Sequence, residues 1–340
     1  MRNFLDVLRF ELRQQCSSPM FVALMLLFFL IHLLTISQAG INLTDNELID
    51  YNSVYLIFRT ELVLGVFGML PAIIFVVNAA TRDHTQSTTE LIYTTPVARL
   101  AFLLGRFSGG TLCALLVGLA GILGTLTGTF MPWLEADRVA DFSWQPYAVC
   151  FAAVVVPNLL VFCIFSFCVA ALSRTAVLSF ATALAFVVLA LMVNAHGMGD
   201  APNWLSMLDP FGALAVEQAM RFFSMAEINT VLPVGSLLSN RLLWLGLAAL
   251  VLALTCWRFR LELALASAGL FKHRRGKPEP APAIRAQPWR TSFKALDTLA
   301  QLVSQMRMDL RAVLLSPLFW LVMLLAVIST VSEVKGTVAP

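Results

Sequence analysis

The chain carries apolar runs too long for the interior of a soluble domain. Seven stretches, 19–38, 62–80, 108–130, 147–172, 176–195, 241–258 and 316–332, are candidate membrane spans, since an α-helix needs about 20 residues to cross a bilayer. Composition points the same way. Only 13% of residues are charged and 59% are hydrophobic, against roughly 25% charged in ordinary soluble domains. No alternation of period two runs through these stretches, which disfavours a β-barrel. The chain reads as a polytopic, all-α integral membrane protein.

Charge placement orients it. With the N-terminus in the cytosol, segments 1–18, 80–110, 173–175 and 258–315 face the cytosol and hold 18 of the 23 Lys and Arg residues. The positive-inside rule favours that threading. It leaves Arg59, Arg138, Arg221, Arg241 and Lys335 outside or at outer span ends. Ser37-Gln38-Ala39 has the form of a signal-peptide cleavage site. The long leading segment with Asp6 and Glu11 argues instead for a retained first span.

The entrance to the first span recurs. Arg9, Leu12, Arg13, Ser18, Pro19, Phe21 and Met25-Leu26-Leu27 match Arg307, Leu310, Arg311, Ser316, Pro317, Phe319 and Met323-Leu324-Leu325 at identical spacing. Before the first copy, Phe4, Leu5, Leu8 and Leu12 line one helical face, with Asp6, Arg9, Glu11 and Arg13 on the other. Leu296, Leu299, Val303, Met306 and Leu310 repeat the pattern before the second. Such helices lie in the membrane interface, and Pro is tolerated in the first turn of the span that follows. A repeat of this kind marks a second structural unit. The expected organisation is a six-span unit over 1–260, a basic, Pro-rich cytosolic linker over 261–290, and an interfacial helix with the first span of a second, incomplete unit over 291–340.

Within the spans, Pro71 between small residues predicts a kink that neighbouring helices re-satisfy. The glycine-dense third span predicts close helix approach, with a gating hinge as the alternative. Ser173-Arg174-Thr175 predicts a tight hairpin. Segments 131–146 and 196–240, with Trp133, Trp144, Trp204 and Phe211, suit caps at the outer interface. The six cysteines fall mostly within spans and form neither a disulfide framework nor a zinc knuckle. Arg59 and Glu61 stand at the outer end of the second span, where the reading as interfacial anchors is favoured over a proton relay. Coupling by an external motor is likewise favoured over proton coupling. Asn158, beside Pro157, is the one amide deep in a predicted span and reads as a bridge between helices.

The most informative cytosolic segment is 82–106. Asp83 and Glu90, Thr95-Pro96, Arg99 and then Leu103-Leu104-Gly105-Arg106 describe a short helix lying across a membrane face. That pattern resembles the coupling-helix region of type-2 ABC exporter permeases. Phe10-Glu11-Leu12-Arg13, Met131-Pro132-Trp133-Leu134, Asp209-Pro210-Phe211-Gly212, Ala226-Glu227-Ile228-Asn229 and Asn240-Arg241-Leu242-Leu243-Trp244 extend the resemblance. Together they are similar to the membrane part of bacterial permeases fused to a zinc aminopeptidase-like domain. The resemblance implies a six-span ABC exporter permease half, with the seventh span opening a second, truncated repeat. It also implies a multi-pass protein of the bacterial inner membrane with a cytoplasmic N-terminus, served by a separate ABC ATPase subunit. Arg82, Asp83, Glu90, Thr95, Pro96 and Arg99 then become ATPase-coupling contacts. Arg9, Arg13, Arg307 and Arg311 become interfacial anchors to lipid phosphate or to the ATPase.

No G-x-x-x-x-G-K-[ST] loop is present, so ATP would bind the partner subunit and the chain itself carries no cofactor. Ser108-Gly109-Gly110 opens a span and is no ABC signature. No H-E-x-x-H pair occurs, so a peptidase site would lie beyond residue 340. No catalytic or metal-ligating set is readable, and nothing suggests nucleic acid. The expected function is the membrane-spanning subunit or half of an ABC transporter, moving an apolar or amphipathic substrate. A second permease half, in cis or as a dimer partner, and membrane lipid complete the expected partners. The alternatives are a membrane platform for a C-terminal peptidase and a structural or sensory membrane protein.

Overall fold

A computed structural model of the chain describes residues 2–42, 49–86, 98–197, 204–259 and Arg307. The spans predicted at 316–332 and the linker at 261–290 lie outside the described residues. The described elements run α1 (Arg2–Cys16), α2 (Pro19–Asn42), α3 (Val54–Thr85), α4 (Arg99–Gly128), α5 (Gln145–Ser173), α6 (Val177–Gly197), α7 (Ala213–Met220), α8 (Met225–Thr230) and α9 (Val234–Arg258). Six of them, α2 to α6 and α9, are long and apolar enough to cross a membrane. Among the described residues there is no strand. The long helices alternate in direction. One end of the bundle therefore gathers α1, the start of α2, the end of α3, the start of α4 and the α5–α6 hairpin. The opposite end gathers α7 and α8.

Local sequence accounts for the breaks. Ser18 takes the Met20 N–H on its hydroxyl at 3.3 Å, and Pro19 opens α2, its missing N–H costing nothing in a first turn. Ser53 caps α3 by accepting from the Leu56 N–H at 3.2 Å. Inside α3, tighter turns at Val66–Gly68 precede Pro71, and wide π-type turns run over Ala72–Val77. Pro71 offers no N–H to the ladder, and the helix absorbs the misfit by changing its turn width. At Pro71 the helix thus passes from tight to wide turns within one continuous span. Arg174 ends α5 in the left-handed conformation, φ 59°, with its N–H on the Ala170 carbonyl at 2.8 Å, closing the predicted hairpin.

In lipid, helices associate through close packing rather than water exclusion, and α4 is built for it. A Cβ placed on Gly109 would lie 2.5 Å from the Cβ of Glu11 on α1. One on Gly121 would lie 3.0 Å from the His32 ring on α2. These glycines let α1 and α2 press side chains against the α4 backbone, which is the close approach expected of them. Aromatic rings fill the centre: Phe162 meets Phe186 and Phe211 at 5.3 and 5.1 Å, and Phe186 meets Trp244 at 5.6 Å.

Three spans start earlier than their apolar runs suggest. The second begins at Val54 rather than 62, the third at Arg99 rather than 108, and the sixth at Val234 rather than 241. The displaced boundaries pass through Glu61, Arg106, Asn240 and Arg241, polar residues that the bundle takes inside. The amphipathic reading of α1 also changes. Leu5 and Phe10 are exposed at 43% and 59%, whereas Glu11 is wholly buried. The helix packs its Val7, Glu11 and Gln15 face on α4.

Candidate functional site

At the α1 end, four charges from three helices meet out of solvent. Arg82 of α3 grips both carboxylate oxygens of Glu11 on α1, at 2.6 and 3.3 Å. Arg106 of α4 bridges Asp83 of α3 at 2.7 Å, the Ala79 carbonyl at 2.7 Å, and Glu11 at 3.5 Å. Gln15 donates to Glu11 and to the Phe75 carbonyl, both at 3.2 Å. That carbonyl lies in the π-type turns after Pro71. Arg106 also lies 4.5 Å from the Phe102 ring centroid, and Arg82 5.6 Å from that of Phe10. Two anions and two cations make a neutral set, which is how a low-dielectric interior tolerates ions.

The opposite end is fastened differently. Asp209 accepts the N–H groups of Phe211 and Leu214 at 3.0 and 2.8 Å, and Gly212 turns the chain with φ 75°. A side chain at 212 would collide with Arg241. Arg241 donates to the carbonyls of Phe211 and Pro210, and to Asn158 Oδ1 at 2.6 Å. Asn240 donates to the Ser206 and Asp209 carbonyls at 2.8 Å each, and Trp244 to the Met207 carbonyl at 3.1 Å. The Asp209–Gly212 and Asn240–Trp244 motifs, separate in sequence, therefore form one latch. Asn158 is its third member and a bridge between helices. Arg241 is buried within α9 rather than at an outer span end.

Beside the latch, residues 49–53 pair with 131–146. Asn52 and Ala140 exchange hydrogen bonds at 2.7 and 2.9 Å, and Tyr51 N–H donates to the Arg138 carbonyl at 2.9 Å. Partial burial pushes the Asp50 carboxyl up, against the pull of Arg138. Glu227 closes a capping box with Ser224. Hydrogen bonds from the Ser224 N–H and hydroxyl hold its carboxyl below the usual range.

A third polar group sits between the two ends. Glu61 of α3, 2% exposed, accepts from Thr125 of α4 at 2.5 Å and faces His32 Nε2 of α2 at 3.6 Å. It is buried between three helices and is not an interfacial anchor. Arg59, two residues earlier, is exposed and donates to the Tyr55 hydroxyl at 3.0 Å. It lines a cavity of about 440 Å³ between α3, α6 and α7, otherwise walled mainly by Leu62, Val66, Val187, Leu191 and Met220, with Glu217 on the same lining.

The expected coupling contacts divide. Arg82 and Asp83 lie at the end of α3, buried and paired in the four-charge set, and not on a separate short helix across the membrane face. Arg99 starts α4 and is partly exposed. Glu90, Thr95 and Pro96 lie outside the described residues, as does Arg311. Arg9, Arg13 and Arg307 are exposed. Sequence reading missed Glu11, Arg106, His32, Thr125 and Arg241. The available signal was an acid at the centre of an otherwise balanced amphipathic helix.

No group of three or more His, Cys, Asp or Glu side chains among the described residues is placed to hold a metal. No curated protein matches the chain. The family model described as "ABC-2 family transporter protein" matches residues 5–262, the whole of the helical bundle and its α1 helix.

Proposed function

Because the chain belongs to the ABC-2 transporter family, whose members are membrane permease components working with an ABC ATPase, we propose that it moves an apolar or amphipathic substrate with ATP hydrolysed on a separate subunit. The observation that carries this reading is the family match across six spans and α1 together. The Arg59 cavity supports the substrate class: its walls are aliphatic, and Arg59 and Glu217 supply opposite charges, suited to a molecule with an apolar body and a polar head.

In this reading the α1 end is cytosolic, and the protein lies in a bacterial inner membrane. The ATPase docks beneath segment 82–106. With Arg82 and Asp83 engaged inside the bundle, the contact falls to Glu90, Thr95, Pro96 and Arg99, while the charge set transmits movement of that segment to α1. A second permease half, in cis or as a dimer partner, closes the pathway, and Arg9, Arg13, Arg307 and Arg311 meet lipid phosphate. The finer likeness to permeases fused to a zinc aminopeptidase-like domain rests on motifs alone.

Co-purification in detergent with the ABC ATPase subunit encoded beside it tests the assignment. The wild-type chain retains the ATPase, and replacing residues 88–96 releases it. Retention after that replacement, with ATP-dependent transport intact in proteoliposomes, contradicts the docking site.

A further inference from the structure

The geometry points to a proton-binding site inside the membrane, formed by His32 and Glu61. His32 Nδ1 lies 2.8 Å from the Phe28 carbonyl. A carbonyl oxygen only accepts, so Nδ1 carries a hydrogen. Nε2 is left facing a Glu61 oxygen at 3.6 Å, with the other Glu61 oxygen taken by Thr125. If both groups lacked the second proton, an imidazole lone pair would face a carboxylate, and one net charge would stand in the bundle. If both were protonated, a cation would stand there instead. The arrangement suits one proton held between the two groups, as neutral acid with neutral imidazole or as carboxylate with imidazolium. Both states are net neutral, the condition a low-dielectric interior favours.

The surroundings do not supply an alternative counter-charge. On α4 the pair meets Thr125 and the small face of Gly121. On α5 it meets Asn158 across a cavity of about 20 Å³, room for one water, and Cys150 lies within electrostatic reach. Arg241 of α9 stands behind Asn158, engaged with it at 2.6 Å and balanced by Asp209. On α3 itself Arg59 is exposed, and on the external helices Glu217 and Glu227 are exposed. Each group of the pair is therefore the other's nearest neutralising partner. Parting α2 from α3 breaks the pair, so rearrangement of these spans exchanges a proton whatever substrate is carried.

Thermal unfolding of the purified full chain, followed from about pH 5 to about pH 9, reads the site. Each midpoint is referred to His32→Phe/Glu61→Leu, in which the pair is replaced by apolar side chains. The wild-type midpoint falls by about 3 °C or more toward both ends of the range. Glu61→Gln loses the alkaline fall and keeps the acidic one, and His32→Gln does the reverse. Should either variant fail to fold, Thr125→Val, which removes the hydroxyl donated to Glu61, moves the alkaline fall and leaves the acidic one. A wild-type profile parallel to that of the double variant overturns the site. So does an alkaline fall that survives Glu61→Gln, or one that Thr125→Val leaves in place.

Discussion

The two ends of the bundle are fastened by opposite means. At the α1 end, four ionised side chains from three helices satisfy one another, with Glu11 shared by two arginines and Arg106 shared by two acids. At the far end a single guanidinium and three neutral side chains are directed mainly at backbone carbonyls of residues 206–211. Partners in the first set can be exchanged: Glu11 released by Arg82 still has Arg106 within 3.5 Å. Arg241 has no second cation to replace it: only Asn158 Nδ2, at 3.3 Å, shares its Phe211 carbonyl. The first arrangement suits a joint that shifts, and the second suits a clamp.

That contrast makes graded predictions. Glu11→Ala has the largest effect, because it strands Arg82 and Arg106 with one acid between them. A loss of about 4 kcal/mol is expected from chemical unfolding of the detergent-solubilised protein. Arg82→Ala costs clearly less, since Arg106 remains beside Glu11, and equal losses would erase the idea of exchangeable partners. Arg241→Ala follows at about 3 kcal/mol, the cost of leaving the Pro210 carbonyl and the Asn158 oxygen without this donor and the Phe211 carbonyl with Asn158 alone. Limited proteolysis should then cut within 204–220 while leaving α1 protected. Gly109→Ala comes next, at about 2 kcal/mol. Its methyl meets the Glu11 Cβ, so loosening of α1 should be visible as faster amide exchange there, and unchanged exchange would show that α1 yields freely. The smallest effect belongs to the capping box. Glu227 is held below its unfolded value, so its contribution is complete above the ordinary carboxylate range and is lost as pH falls through the depressed folded value. Amide exchange at α8 should quicken on acidification in the wild type and be already fast in Ser224→Ala.

Most of the fold was legible, and the failures share a cause. Runs of apolar residues located all six described spans, because span length is fixed by the bilayer. The boundaries failed where Glu61, Arg106, Asn240 and Arg241 interrupt the runs. Hydropathy treats such residues as exposed, yet their neutralising partners lie on other helices: 71 positions separate Glu11 from Arg82, and 83 separate Asn158 from Arg241. One residue of α1 was misassigned for the same reason. Glu11, read on the solvated face with Asp6, Arg9 and Arg13, is drawn in by two arginines, while the other three stay exposed. The motifs around Asp209 and Asn240 could be recognised, but only the fold shows that they are two halves of one latch.

The central claim is that α1 is a member of the bundle, held by a cooperative charge set around Glu11. A double-mutant cycle joining Glu11→Ala and Arg82→Ala, read by chemical unfolding of the purified chain, tests it most directly. The account predicts a coupling of about 2 kcal/mol or more between the two sites, and additivity when Glu11→Ala is combined with Arg241→Ala. Additive losses for Glu11 and Arg82 would contradict it, and would return α1 to the membrane surface.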